Sequence, residues 1–143
     1  DVALEIAEET GHLACETLQE LVDALDAPRI VWLMLPAGDV TEATLQALGP
    51  ILSPGDLIVD GGNSKYTDDQ VHDVLCREKG IGYIDAGVSG GVWGLDNGYA
   101  LMLGGTPQSV ARLKPLIETL APDLRRLRDR YGFDVKGEWG VDP

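Results

Sequence analysis

The chain has 143 residues, 44% of them apolar, enough for one buried core and short for two full domains. Its 24 acidic against 11 basic groups give a formal charge of −13, with 19 acidic and 6 basic groups in residues 1–120 and five of each in residues 121–143. That balance argues against a nucleic-acid surface, and no apolar run approaches the roughly 18 residues of a membrane span. So acidic a surface also repels phosphates, and a phosphorylated ligand would need basic groups from elsewhere. Cys15 and Cys76 form no metal-type or redox-type pair by spacing, and no basic-then-apolar leader opens the sequence. The expectation is a soluble, reduced, cytoplasmic protein.

Residues 1–9 read as a helix with Val2, Leu4 and Ile6 as its apolar side and Gly11 as its stop. From Thr17 a second helix places Leu18, Leu21, Val22 and Leu25 on one face, and Pro28 ends it. Arg29 to Leu35 is an unalternated apolar run, as in a parallel strand covered on both faces. After the loop Pro36-Ala37-Gly38, the pair Asp39 and Glu42 predicts a capping box opening a helix that runs to about Leu48. Pro54-Gly55 marks a turn before a strand at Asp56 to Asp60. Gly61-Gly62-Asn63-Ser64 follows, then a helix over 68–79 closed by Gly80. Apolar runs at Ile81 to Ala86 and Tyr99 to Leu103 predict two buried strands, and Thr106-Pro107 caps a last helix buried through Val110, Leu113, Ile117 and Leu120. Strands alternating with helices of this length imply a doubly wound, mostly parallel α/β sheet.

Two stretches stand out from this frame. Between Asp85 and Gly105, seven of 21 residues are glycine, a loop suited to close approach by a ligand, with Ser89 as the hydroxyl at that approach. Upstream, Gly61-Gly62-Asn63 also follows the carboxyl end of a strand, where open parallel sheets bind ligands. Asn63 offers a donor and an acceptor, and the Ser89-Gly90-Gly91 backbone can turn its amides toward an anion. Either motif alone could be a plain turn or a flexible loop; together, and in this order, they point to a site. Trp93 is placed either to cover that site or to pack its loop on the core. His12 and His72 read as surface residues, and Asp60 and Asp85 as acceptors for loop amides.

Asp-Gly-Gly-Asn-Ser at 60–64, Gly-Val-Ser-Gly-Gly-Val-Trp-Gly-Leu at 87–95 and Leu-Met-Leu-Pro-Ala-Gly at 33–38 together resemble the cofactor domain of 6-phosphogluconate dehydrogenase, in its shorter bacterial variety, over about residues 2–122. The resemblance implies a Rossmann-like fold and the oxidative decarboxylation of 6-phosphogluconate to ribulose 5-phosphate in the pentose phosphate pathway. A hydride leaves the substrate's C3 to NAD or NADP, and the resulting 3-keto acid loses carbon dioxide. It further implies that Leu35, Pro36, Ala37 and Asn63 line the cofactor, that Asn63, Ser89, Gly90 and Gly91 hold the substrate, and that no metal takes part. Many relatives carry lysine where Pro36 stands, which leans toward NAD. The resemblance also implies a homo-oligomer in the cytoplasm, without nucleic-acid or membrane partners.

The sequence departs from that pattern at both ends. A dinucleotide fold normally opens with a strand, a Gly-x-Gly-x-x-Gly turn and a second strand ending in an acid. None of these is present, so the sheet is expected to be incomplete at its amino end. The lysine and glutamate that the resemblance assigns to catalysis are expected outside this stretch, and residues 123–143, with Arg125, Arg126, Arg128 and Arg130, form a tail of unknown role. Alone, the chain is expected to be inactive. Two other readings compete: a related 3-hydroxyacid dehydrogenase, against which Gly61-Gly62-Asn63 argues, and a non-catalytic remnant of the scaffold.

Overall fold

The computed structural model describes residues 2–122; the Arg-rich stretch 123–143 lies outside the described residues. The described elements are α1 (Val2–Thr10), α2 (Leu18–Ala24), β1 (Ile30–Leu33), α3 (Asp39–Leu48), β2 (Leu57–Asp60), α4 (Tyr66–Glu78), β3 (Gly82–Ser89), α5 (Gly94–Asn97), β4 (Ala100–Gly104) and α6 (Pro107–Leu120). They form one sheet of order β1-β2-β3-β4, in which the first three strands are parallel and β4 returns antiparallel along β3. The α/β, parallel-dominated, Rossmann-like architecture follows from the connections, because α3 and α4 each carry the chain back across the sheet to start the next strand in the same direction.

The sheet buries both faces. On one, Val31, Leu33, Ile58, Ile81 and Tyr83 meet Val22 of α2, Leu48 of α3 and Cys76 of α4; on the other, Leu57, Val59, Ile84 and Ala86 meet Leu113 and Ile117 of α6. Leu48, Leu57, Ile58, Ile84 and Leu113 are almost wholly out of solvent, each stabilising the fold by roughly 1.5 to 3 kcal/mol. β2 is buried along its whole length, which explains its unalternated sequence. At the amino edge, Asp56 accepts from the amides of Arg29 (2.7 Å) and Ser53 (2.8 Å) and from the Arg29 guanidinium (3.2 Å). Burial pushes its carboxyl up, but these three donors outweigh burial and hold it below its ordinary range.

Several expectations are corrected here. The Asp39–Glu42 capping box does not form: Gly38 is the N-cap, without a side-chain bond, and the Glu42 carboxylate instead accepts from His72 (2.7 Å) and Gln46 (2.9 Å). α1 exists, but Val2, Leu4 and Ile6 are more than half exposed, so its apolar side is largely open to solvent. α4 begins at Tyr66, two residues before the sequence signal. β3 runs on through Ser89, because β4 pairs with it from Asp85 to Ser89 and carries the strand into what glycine content suggested was loop. β4 is not buried: it is an edge strand whose residues alternate between exposed and half-buried, with Met102 73% exposed.

Candidate functional site

Gly61 to Ser64 leaves the carboxyl end of β2 as a tight turn built on one acid. Asp60, buried at the end of the strand, accepts from the Gly62 amide through Oδ1 (2.9 Å) and from the Ser64 hydroxyl through Oδ2 (2.7 Å). Between those two anchors Asn63 is held at φ 55°, the left-handed region that asparagine tolerates better than most residues. Its side chain is thereby presented at the surface. Asp60 bonds a loop amide, as expected. Asp85 does not: its carboxyl has no hydrogen-bond partner among the described residues, and burial, with Asp69 and Asp60 nearby, raises it above its ordinary value.

The loop leaving β1 lies against this turn. The Gly61 amide donates to the Leu33 carbonyl (2.8 Å), and a Cβ on Gly62 would overlap the carbonyl oxygen of Leu35. The backbone of Leu33 and Leu35 therefore lies against the Gly61-Gly62 step that leads into Asn63. A residue the sequence reading missed fixes this loop: Thr41, 1% exposed in the first turn of α3, donates its hydroxyl to the Pro36 carbonyl (2.9 Å). A threonine two positions past a loop's aspartate gave no signal of its own.

Ser89, Gly90 and Gly91 stand at the same edge of the sheet, after the carboxyl end of the strand next to β2. β3 continues four residues past the Asp60–Asp85 pair, which carries Ser89 roughly 13 Å beyond that level. Gly90 and Gly91 both have positive φ, 146° and 49°, and turn the chain into a 3₁₀ segment, Gly91–Trp93, and α5. The aromatic that packs this loop is Tyr99, whose ring lies against Gly90 and fills the space where a Cβ of Gly94 would stand. Trp93 is 70% exposed and so does not pack the loop on the core, one of the two roles expected of it; Val92 and Leu95 beside it are still more open.

Beneath the Asn63 turn lies a buried polar cluster that the sequence did not reveal. The Tyr83 hydroxyl is 2.8 Å from Asp69 Oδ1, 3.3 Å from Asp60 Oδ2 and 3.4 Å from His72 Nδ1, and His72 Nε2 is 2.7 Å from Glu42 Oε2. His72, expected at the surface, is 6% exposed, whereas His12 is exposed as expected. Burial, aided by the Asp69 hydrogen bond, raises the Tyr83 phenol, and the hydrogen bond from His72 lowers Glu42. Burial raises Asp69 as well, against the Tyr83 hydrogen bond and with the Asp60 charge. Donor atoms of Asp60, Asp69 and His72 lie within 4.8 Å of one another, a spacing a metal ion could bridge, but the Tyr83 hydroxyl already stands among them. The available signal was spacing: Asp69, His72 and Cys76, at i, i+3 and i+7, are the buried stripe of α4.

A two-faced, parallel-dominated sheet with glycine turns at its carboxyl edge defines the class of nucleotide-binding α/β domains found in nicotinamide-dependent dehydrogenases. Residues 2–128 match the family model described as the NAD binding domain of 6-phosphogluconate dehydrogenase, and the chain belongs to that family, which is one of oxidoreductases. The decarboxylating 6-phosphogluconate dehydrogenases of Dictyostelium discoideum and Haemophilus ducreyi are 41% and 37% identical to it over 79% and 80% of this chain. The chain spans about a quarter of their length, 23% and 24%. Among solved structures, Plasmodium falciparum 6-phosphogluconate dehydrogenase, studied with NADP+ and with 6-phosphogluconate, superposes with a TM-score of 0.76 at 30% identity, over 85% of this chain and 26% of that one. Mycobacterium tuberculosis 3-hydroxyisobutyrate dehydrogenase gives 0.68 at 30% identity, over 75% and 36%.

Proposed function

We propose that this chain forms the nicotinamide and substrate end of a 6-phosphogluconate dehydrogenase site, in an enzyme that oxidatively decarboxylates 6-phosphogluconate to ribulose 5-phosphate. The observation that carries this reading is the seating of Gly62 on the Leu35 carbonyl, which sets Asn63 beside the Leu35-Pro36-Ala37 loop at the edge that also bears Ser89. The nicotinamide, when bound, accepts the hydride. This chain's residues position rather than exchange protons: Asn63 bonds nicotinamide and substrate without changing charge, and Ser89, Gly90 and Gly91 hold the substrate's anionic group. The acid and base come from the catalytic lysine and glutamate outside this stretch. With Pro36 in place of a lysine, NAD is preferred over NADP. The whole enzyme works in the cytoplasm as a homo-oligomer, within the pentose phosphate pathway.

A chimera tests the reading. Residues 2–122 replace the matching segment of a full-length relative, and reduced cofactor is followed with 6-phosphogluconate or 3-hydroxyisobutyrate as substrate. Activity with the first and not the second is expected; a folded chimera inactive with 6-phosphogluconate contradicts it. The isolated chain is expected neither to turn over 6-phosphogluconate nor to bind NAD or NADP at micromolar concentrations, because the backbone amides of a pyrophosphate turn are the main anchor for such cofactors. Micromolar affinity by isothermal titration would contradict that part.

A further inference from the structure

We propose that Tyr83 is a positioning residue for Asn63: its hydroxyl, shared between Asp69 of α4 and Asp60 of β2, props the carboxyl group that spans the Asn63 turn. The inference rests on the reading of Asn63 as a site residue, and extends the site to α4.

The phenol of Tyr83 has one hydrogen, and three acceptors surround it: Asp69 Oδ1, Asp60 Oδ2 and, in the ring whose Nε2 hydrogen goes to Glu42, His72 Nδ1. One hydrogen cannot serve three acceptors at once, and under the proposal a second hydrogen sits in the cluster. Asp69 is where it sits. Its Oδ2 is buried and has no hydrogen-bond partner among the described residues, and the residue is 6% exposed. An orphaned oxygen on a charged carboxylate is far more costly than one on a neutral acid. With the hydrogen on Asp69 Oδ1, that oxygen donates to the Tyr83 oxygen, and the Tyr83 hydrogen is free to go to Asp60 Oδ2. The Asp60 carboxylate then receives Gly62, Ser64 and Tyr83, and each of these donors holds the turn in shape.

Ionising Asp69 would reverse that order. The Tyr83 hydrogen would turn to the new charge, Asp60 would lose its prop, and two carboxylates would face each other. The titratable groups facing Asp69 are Asp60 from β2, Asp85 from β3, and His72 and Asp68 from α4, with Glu42 of α3 behind His72. Asp69 is raised above its ordinary value, so its proton is held at low pH and lost as pH rises. The support of the turn weakens in that direction.

Amide hydrogen exchange on the 143-residue chain reads this directly and involves no cofactor, so it stands or falls separately from the proposed activity. Tyr83→Phe is expected to speed exchange at the Gly62 amide about tenfold, the effect of one lost buried hydrogen bond, while the Leu113 amide on the far side of the sheet changes less than twofold. In the native chain, Gly62 protection, corrected for intrinsic exchange, falls as pH rises. In Asp69→Asn, which keeps the shape of the neutral acid, the protection at Gly62 remains and its pH dependence flattens. Should Tyr83→Phe not fold, the pH profile of Asp69→Asn decides alone. Gly62 exchange unchanged in Tyr83→Phe, or raised by the same factor as Leu113, overturns the proposal, as does a pH profile that Asp69→Asn leaves as it was.

Discussion

Asp60 and Ser64 are joined by a 2.7 Å hydrogen bond across the left-handed Asn63, while the other oxygen of the same carboxyl holds Gly62. The turn's shape therefore depends on a buried acid, and the Asn63 side chain is left exposed. Because glycine adopts φ 55° without strain, Asn63→Gly isolates the amide from the backbone. In an active enzyme carrying this segment, the substitution should cost about 2 to 4 kcal/mol of barrier, as for one lost positioned hydrogen bond in a closed site, and shift stability by no more than about 0.5 kcal/mol. Turnover and urea unfolding measured side by side check this; equal losses would make Asn63 a turn residue only.

Gly62→Ala is expected to act in the opposite sense. Its Cβ would overlap the Leu35 carbonyl, a backbone atom that cannot swing aside, so the two loops must separate. A loss of about 1 to 3 kcal/mol in stability, the usual cost of overpacking, should accompany weaker cofactor binding. Gly91→Ala, whose Cβ would meet nothing within 4 Å, carries only the penalty of its positive φ and serves as the comparison.

Thr41 gives a third test. Thr41→Val keeps the shape but leaves the Pro36 carbonyl without its 2.9 Å partner, at a cost of about 1 to 2 kcal/mol. Because that carbonyl belongs to the loop proposed to line the cofactor, the KM for the dinucleotide should rise more than the KM for the sugar acid. A larger rise for the sugar acid would contradict the placement of Leu35, Pro36 and Ala37.

The elements legible in the sequence are those set by local rules. Thr106 accepts from the Ser109 amide (3.2 Å) with Pro107 in the first turn of α6, as the sequence signal required, and Gly80 closes α4 at φ 72°. What stayed hidden depends on partners distant in the chain. Glu42 looked like half of a capping box because that motif is local, yet its partner, His72, is 30 residues away. His72 looked like a surface residue because polar side chains on a helix usually face water; here Tyr83 of the neighbouring strand supplies an inward contact for it and for Asp69. Ser89 looked like loop because glycine content says nothing of an antiparallel strand arriving alongside.

Acid should loosen both ends of the sheet, through Asp56 at the amino edge and Glu42 at the carboxyl edge. Asp56 and Glu42 are both held below their ordinary carboxylate values, so each contributes stability that is present above the unfolded value and is lost as pH falls through the lower, folded one. Unfolding free energy should therefore decline below about pH 4, the ordinary carboxylate range. Asp56→Ala should cost about 3 kcal/mol at neutral pH, because it strands two backbone amides and a guanidinium, and should blunt that acid decline. Urea titrations of both chains from pH 3 to 7 measure it; an acid decline as steep in the variant would assign the effect to other groups.

The most direct measurement of the central claim is chemical-shift mapping of the isotopically labelled chain with millimolar NAD and 6-phosphogluconate, added separately and together. The account predicts weak binding whose shifts fall on Leu35, Ala37, Gly62 and Asn63 with the dinucleotide and on Asn63, Ser89, Gly90 and Gly91 with the sugar acid. Asn63 is the residue that responds to both. Shifts confined to the amino edge around Arg29 and Asp56, or to α1, would place any ligand elsewhere and contradict the site.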